Sequence, residues 1–417
     1  MIANYENFEK DLIFNDSPDF KNLVNFDSNL SKPYHRWYKF KEGFASKLVE
    51  RILYDCEVET GAEVIDCFCG SGTSVLTCQQ NQINSTGVEI NPFLRFLSYV
   101  KTRHYFEPEE IKSSIEKILE GKNGNSCIPP NLDTFKLGFS KSRFKALLKY
   151  KGKILGNGFS EDSRNILLLG LGAILEDASK LRKDGKALRI VENKKRVHLK
   201  KLFSQKLNQI YGDISNFPHD PDFVPEIYEK SSIDLSFLKR DKYKLALFSP
   251  PYLNTFDYLE VYKMELWMLD FISSHSQRNE LREKTVRSHI SVPLDLVNLY
   301  ENKFLDFIVE NLKEKGTWDS RIPTLIKCYF EDMYQVIDGI YKILENDGHC
   351  VIVVGNSSYA NIPIPTDSIL AKIGKDVGFD IKEIKIARHT RRSSQQYPQA
   401  KKNGMRYLRE SIVILKK

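Results

Sequence analysis

Ser249-Pro250-Pro251-Tyr252 holds a hydroxyl and an aromatic ring close together on a stiff piece of backbone. Two successive prolines fix φ and carry no amide donors, so a central strand cannot continue through them. The residues just ahead, Leu245, Ala246, Leu247 and Phe248, form a short apolar run that predicts a strand buried on both faces. A serine and a ring leaving the carboxyl end of such a strand stand where open α/β sheets bind ligands. A second group has the same address. Val64 to Phe68 reads as a strand, Gly70-Ser71-Gly72-Thr73 as a tight turn, and Ser74 to Gln80 as the start of a helix. Glycines let the backbone approach a ligand, and the helix N-terminus supplies free amides. STGVEINP then reads as a second strand ending in Glu89, a position from which a carboxylate can hold ribose hydroxyls. The turn is shorter than a P-loop and lacks GK[ST], so nucleoside triphosphate hydrolysis is not expected.

The elements that must position these residues follow an interrupted α/β rhythm. Lys32 to Phe40 is an aromatic cluster ahead of a helix with Leu48, Val49, Ile52 and Leu53 on one face. Tyr38 and Phe40 within it suit either core packing or a ligand wall. From Tyr99 to Glu226 helical patterns dominate, with Leu167, Leu168, Leu171, Ile174 and Leu175 at helical spacing. The rhythm resumes at IYEKSSIDLSFL, a weak third strand with Asp234 near its end. GHCVIVVGNS predicts a buried strand from Cys350 to Val354, followed by a helix ended by Gly378. IKEIKIARH and ESIVILKK predict an antiparallel hairpin closing one edge of the sheet.

Composition sets the outer bounds. The chain has 417 residues, 41% of them hydrophobic and 28% charged, which describes a globular protein of one large domain with an insertion, or two domains. No apolar run reaches the roughly 18 residues of a membrane helix. MIANYENFEKDLIFNDSPDF is mixed and acidic, so no secretory leader is expected there. Cys56, Cys67, Cys69, Cys78, Cys127, Cys328 and Cys350 form no CxxC pair and no zinc spacing; reduced thiols, no metal and a cytoplasmic location are expected. The net charge is +7, yet Lys141 to Lys206 alone carries 18 Lys and Arg against 6 Asp and Glu. That segment is the candidate polyanion-binding face.

Four stretches together resemble the S-adenosylmethionine-dependent DNA methyltransferases that modify exocyclic amino groups. PYHRWYKFKEGF resembles the N-terminal motif of that family, DCFCGSGT its cofactor loop, GVEINP its ribose-binding strand end, and SPPY with LNTFDYLEVYKMELW its catalytic motif. VVGNSSY and the closing RRSSQQ and RES stretches resemble the distal half of the same domain. Cys67 replaces a proline common in the cofactor loop, and the insertion lies between the second and third strands rather than just before the catalytic motif.

The resemblance implies a Rossmann-like α/β domain with a mixed seven-stranded sheet, built from residues 30–100 and 227–417, and a helical basic insertion at 101–226 that is the candidate DNA-reading region. It implies S-adenosylmethionine as cofactor, lined by Asp66, Phe68, Gly70, Gly72, Thr73 and Asn91, with Glu89 on its ribose, Asp234 on its adenine amine, and Tyr38 and Phe40 at its methionine end. It implies that the Ser249 hydroxyl and the Pro250 carbonyl accept hydrogen bonds from the target amino group, that Pro251 stiffens the corner, and that Tyr252 stacks on a base flipped out of double-stranded DNA. Serine at the first motif position favours cytosine N4; adenine N6 is the alternative, followed by an RNA amino group and by a catalytically silent DNA-binding subunit. Asp257, Lys263 and Glu265 are expected to cap or salt-bridge the following helix, and Arg391, Arg392, Gln395 and Gln396 to touch DNA or form a polar loop. A cognate restriction endonuclease is a possible partner, and the sequence sets no expectation for oligomeric state.

Overall fold

The computed structural model describes residues 2–120, 133–156, 158–185, 187–192, 194, 197–390 and 406–417. Its strands, in chain order, are β1 (Phe14–Asp16), β2 (Glu63–Asp66), β3 (Asn84–Val88), β4 (Leu181–Asp184), β5 (Ala187–Ile190), β6 (Glu226–Tyr228), β7 (Tyr243–Phe248), β8 (Leu344–Gly355), β9 (Ser357–Tyr359), β10 (Ile362–Ile364), β11 (Asp380–His389) and β12 (Arg409–Lys416). Eight form one mixed sheet in the order β1-β11-β12-β8-β7-β2-β3-β6. β6, β3, β2, β7 and β8 run parallel, and β12 is antiparallel to both β8 and β11. These are the seven anticipated strands. The eighth, β1, pairs parallel with β11 at the edge, in an N-terminal stretch that has no alternating pattern to announce it.

Alternation along the central strands sorts their side chains to the two faces of the sheet. Ile65, Ala246, Phe248, Ile352 and Val354 pack on one side with the long helix Ile322–Ile343. Val64, Leu245, Leu247, Val351 and Val353 pack on the other with Leu48, Val49 and Ile52 of the helix Ser46–Asp55. Both faces are covered, which is why these strands read as unbroken apolar runs.

A third core lies beside the sheet. Helices Lys141–Gly156, Glu161–Ala173 and Leu199–Asn216 bury Leu147, Leu167, Leu171 and Leu207 against the aromatic cluster of Tyr34, Trp37 and Tyr38 and against Tyr262, Leu266 and Trp267. The buried Asp213 carboxylate, in the last of these helices, accepts from the Tyr34 amide at 2.9 Å, Trp37 Nε1 at 2.9 Å and Arg36 Nε at 3.1 Å. The segment between β3 and β6 is therefore keyed into the rest of the chain by both apolar and charged contacts.

That segment also departs from the helical pattern. β4 and β5 form an antiparallel ribbon turned at Gly185, whose φ is 56°. Asp184-Gly185 is a hairpin signal, but the flanking Lys and Arg residues hide the alternation that normally accompanies it. The six described cysteines are free and buried. Cys127, Arg391, Arg392, Gln395 and Gln396 lie outside the described residues. Among the described residues no helix is long and apolar enough to cross a membrane, and no cluster of side chains could hold a metal ion.

Candidate functional site

β2 and β7 are neighbouring parallel strands, with Val64 opposite Leu245 and Ile65 opposite Ala246. Their carboxyl ends must therefore open side by side. The glycine turn and Ser249 meet in one cleft, lined among others by Phe40, Asp66, Phe68, Gly70, Thr73, Glu89, Asn91, Ser249 and Pro251.

The turn is held from behind. Gly70 and Gly72 sit at φ 50° and 77°, in the left-handed region. Ser98 Oγ, on the helix Pro92–Thr102, donates to the Gly70 carbonyl at 2.7 Å, and the buried Lys101 ammonium donates to the Ser71 carbonyl at 2.7 Å. A Cβ on Gly72 would lie 2.9 Å from Ser98 Oγ and 3.1 Å from Ser98 Cα. Gly72→Ala combines an unfavourable φ with a backbone clash, and is expected to cost about 1–3 kcal/mol of unfolding free energy, read by denaturant titration. In front of the turn, Glu89 accepts from the Gly70 amide at 2.9 Å and the Asn91 amide at 2.8 Å. Asp66 accepts from the Phe68 amide at 2.9 Å and Ser74 Oγ at 2.5 Å. Both carboxylates brace the loop, and each retains lone pairs.

Comparison with known proteins finds relatives of this chain. The chain is 25% identical over 450 residues to the type II methyltransferase M.AvaI of Nostoc sp., covering 95% of this chain and 89% of the relative. It is 25% identical over 460 residues to the type II methyltransferase M.BsoBI of Geobacillus stearothermophilus, covering 95% and 88%. Over 180 residues it is 27% identical to the type II methyltransferase M.MjaII of Methanocaldococcus jannaschii, covering 39% of this chain and 33% of the relative. No family model matches. Along nearly its whole length the chain is thus similar to type II methyltransferases.

The cleft fits S-adenosylmethionine, the cofactor that the sequence resemblance implies, on internal grounds. Ser71 Oγ, Thr73 Oγ1 and Asn91 Nδ2 are buried polar atoms without a partner among the described residues, all on residues that line the cleft. Unpaired buried polar groups are costly and mark a place where a polar ligand completes the bonding. Phe40, Phe68, Val88 and Leu94 add an apolar surround. Glu89, Gly70, Ser71 and Thr73 border the same space.

Burial pushes the Glu89 carboxyl up to about 7, with the amides of Asn91 and Gly70 pulling the other way; burial pushes Asp66 up to about 7 as well. Hydroxyl donors favour the ionised carboxylate, so cofactor binding should draw a proton off this pair. Affinity is expected to rise between about pH 6 and 8, with net proton release visible by calorimetry in buffers of different ionisation enthalpy. The stability contribution has the opposite sign. Because these acids are raised above their unfolded values, it is full below those values and falls as pH climbs through about 7. Burial also pushes the Lys101 ammonium down to about 7, so Lys101→Met is the control that separates its titration from that of the carboxyls.

Not every anticipated residue reaches the cleft. Tyr38 is buried behind Phe40, and its hydroxyl donates to Glu265 Oε1 at 2.7 Å. Asp234 is exposed and accepts from the Ser236 amide at 2.9 Å, in a separate shallow depression with Tyr334 and Asp338. The physical reason is that β6 ends at Tyr228; Ser231 and Ser232 then pass over the cleft, Ser232 donating to the Cys67 carbonyl, before the chain turns away. Pro250 is buried beneath the corner. Tyr252 is half-buried, its hydroxyl donating to Glu410 Oε1 at 2.9 Å and its ring seated where a Cβ on Gly355 would come within 2.9 Å.

The cleft also gathers residues that the sequence reading did not single out. Glu42, Ser231, Ser232, Lys284, Ser288 and His289 line it. Asp257 does cap the helix Tyr258–Val261, as expected, but it also lines the cleft and binds Arg282 at 2.5 Å. Lys263 pairs with Glu260. Glu42 was within reach of sequence reasoning, two positions beyond Phe40. The loop around His289 was not, because it carries no pattern tying it to the turn.

Proposed function

We propose that this chain is a site-specific DNA methyltransferase of a restriction-modification system, transferring methyl to the exocyclic N4 of cytosine in a base turned out of the duplex. The observation that carries this reading is the shared cleft of the Gly70–Thr73 turn and Ser249. Bound against that turn, the cofactor supplies an electrophilic sulfonium methyl.

The chain's own task is to prepare the nucleophile. An exocyclic amino nitrogen is weak because its lone pair is delocalised into the ring. Acceptors aimed at its hydrogens favour the pyramidal geometry in which that lone pair is released. Ser249 Oγ and the Pro250 carbonyl are the acceptors of this proposal. Pro250 and Pro251 hold them without backbone freedom, so alignment supplies much of the acceleration. Tyr252, anchored by Glu410, is the ring proposed to stack on the base once DNA is bound. Metal and covalent protein intermediates have no role in this scheme.

The insertion at 101–226 is proposed to read DNA, with residues 30–100 and 227–417 as the catalytic domain. Supporting this, Lys141, Lys145, Lys149, Lys200 and Lys201 are all exposed on its helices. Lys153 is held below its ordinary value by partial burial and by the nearby charges of Lys149 and Lys200, a repulsion that phosphates would relieve. A cognate endonuclease and a cytoplasmic setting complete the proposal. The test is nucleoside analysis of DNA from cells expressing the protein. N4-methylcytosine is expected; N6-methyladenine alone would transfer the proposal to adenine, and methyl label in RNA but not in DNA would reject it.

A further inference from the structure

Lys183 lies in β4, within the inserted segment, yet its side chain is buried against Tyr38, Tyr262 and Glu265, behind residues that line the cleft. It is 5% exposed, and its ammonium donates to Glu265 Oε1 at 2.7 Å and to Tyr38 Oη at 2.5 Å. The same ammonium sits 4.0 Å from the centroid of the Tyr262 ring and 5.1 Å from that of Tyr38. Glu265 is 1% exposed, and its Oε2 has no partner among the described residues. A carboxylate this deep needs its cation, because the lone charge would be strongly disfavoured. Lys41 Nζ donates to the Lys183 carbonyl at 2.7 Å, fastening the ribbon to the N-terminal segment from outside.

What Lys183 touches leads directly into the cleft. Tyr262 donates to Glu42, which lines it. Tyr262 also stacks on Phe40, with centroids 5.7 Å apart and planes at 24°. Phe40 in turn stands 3.0 Å from where a Cβ on Gly70 would be, at the methionine side of the turn. A buried cation over the Tyr262 ring, with its carboxylate on the same helical segment, fixes that ring's position.

We propose that Lys183 is a positioning residue: through Tyr38, Glu265 and Tyr262 it sets Phe40 and Glu42, so that the inserted ribbon is a structural part of the cofactor site. This rests on the reading of the cleft as the S-adenosylmethionine site. Every contact between Lys183 and the cleft passes through the ring–carboxylate cluster, so its removal should be felt in cofactor binding more than in turnover.

The experiment compares wild type, Lys183→Met and the double variant Lys183→Met/Glu265→Gln, which removes the stranded carboxylate charge. Three quantities are measured: amide hydrogen exchange over residues 38–44 in the free protein, calorimetric affinity for S-adenosylmethionine, and steady-state kinetics on duplex DNA. For Lys183→Met, exchange over 38–44 should quicken about tenfold, and the Kd and KM for cofactor should rise about tenfold with kcat within about twofold. The double variant should regain melting temperature while its Kd stays raised. If Kd returns to wild type together with melting temperature, the role is purely structural and the proposal is overturned. Unchanged exchange over 38–44 overturns it as well. If exchange responds as expected but the wild type binds no cofactor, it is the assignment of the cleft that fails, and Lys183 still positions its wall.

Discussion

Ser249→Ala is expected to lower kcat for DNA methylation by about 10²–10³-fold while leaving S-adenosylmethionine affinity within about twofold of wild type. The size follows from losing one preorganised acceptor that acts where the amino hydrogens become more acidic in the transition state. The split follows from the structure. Ser249 follows β7 whereas the Gly70–Thr73 turn follows β2, and the hydrogen bonds that brace Gly70 come from Ser98 and Glu89 rather than from Ser249. Single-turnover methyl transfer and calorimetric titration measure the two quantities separately. Loss of cofactor binding in Ser249→Ala would assign the serine to the wrong half of the cleft.

Glu89→Gln should have the complementary signature. The carboxylate takes the Gly70 amide with one oxygen and the Asn91 amide with the other, and it is also the acceptor proposed for ribose hydroxyls. Glutamine keeps one carbonyl oxygen and turns an NH₂ toward a donor, so one amide and one ligand bond are lost together. A hydrogen bond to a charged group contributes about 1.5–3 kcal/mol, which corresponds to cofactor affinity falling about 10- to 100-fold. At saturating cofactor, kcat should stay near wild type. Because burial holds the Glu89 carboxyl at about 7, the same change should abolish most of the proton release on binding. Proton release that persists unchanged would place the titration on Asp66 or Lys101 instead.

The two halves of the cleft were legible in the sequence to different degrees, and the difference is physical. The apolar runs of β2 and β7, the glycines at positive φ and the proline corner are local devices. Each is written in consecutive residues because backbone sterics and strand alternation act over a few positions. The sheet of seven anticipated strands follows from the same short-range rules. β1 escaped them because a three-residue edge strand is too short to show a period.

Residues that join the site from a distance left no such trace. Asp234 looked like a strand-end acid, but β6 stops at Tyr228 and the chain crosses the cleft with Ser231 and Ser232 instead. Tyr38 sits two residues from Phe40, yet only the ring facing Gly70 lines the cleft, since Glu265 and Lys183 draw the Tyr38 hydroxyl into the core. Asp257 announced itself as a cap and proved to face the ligand space too.

The sequence by itself determined the chemistry on offer: a glycine turn, an acid at the next strand end, and a hydroxyl on a rigid corner. Only the tertiary structure decided that β2 lies beside β7, so that these groups open into one volume, and that an inserted ribbon buries a lysine against the residues behind it. Local order is dictated by neighbours along the chain, whereas a cleft is dictated by which distant apolar faces must bury each other.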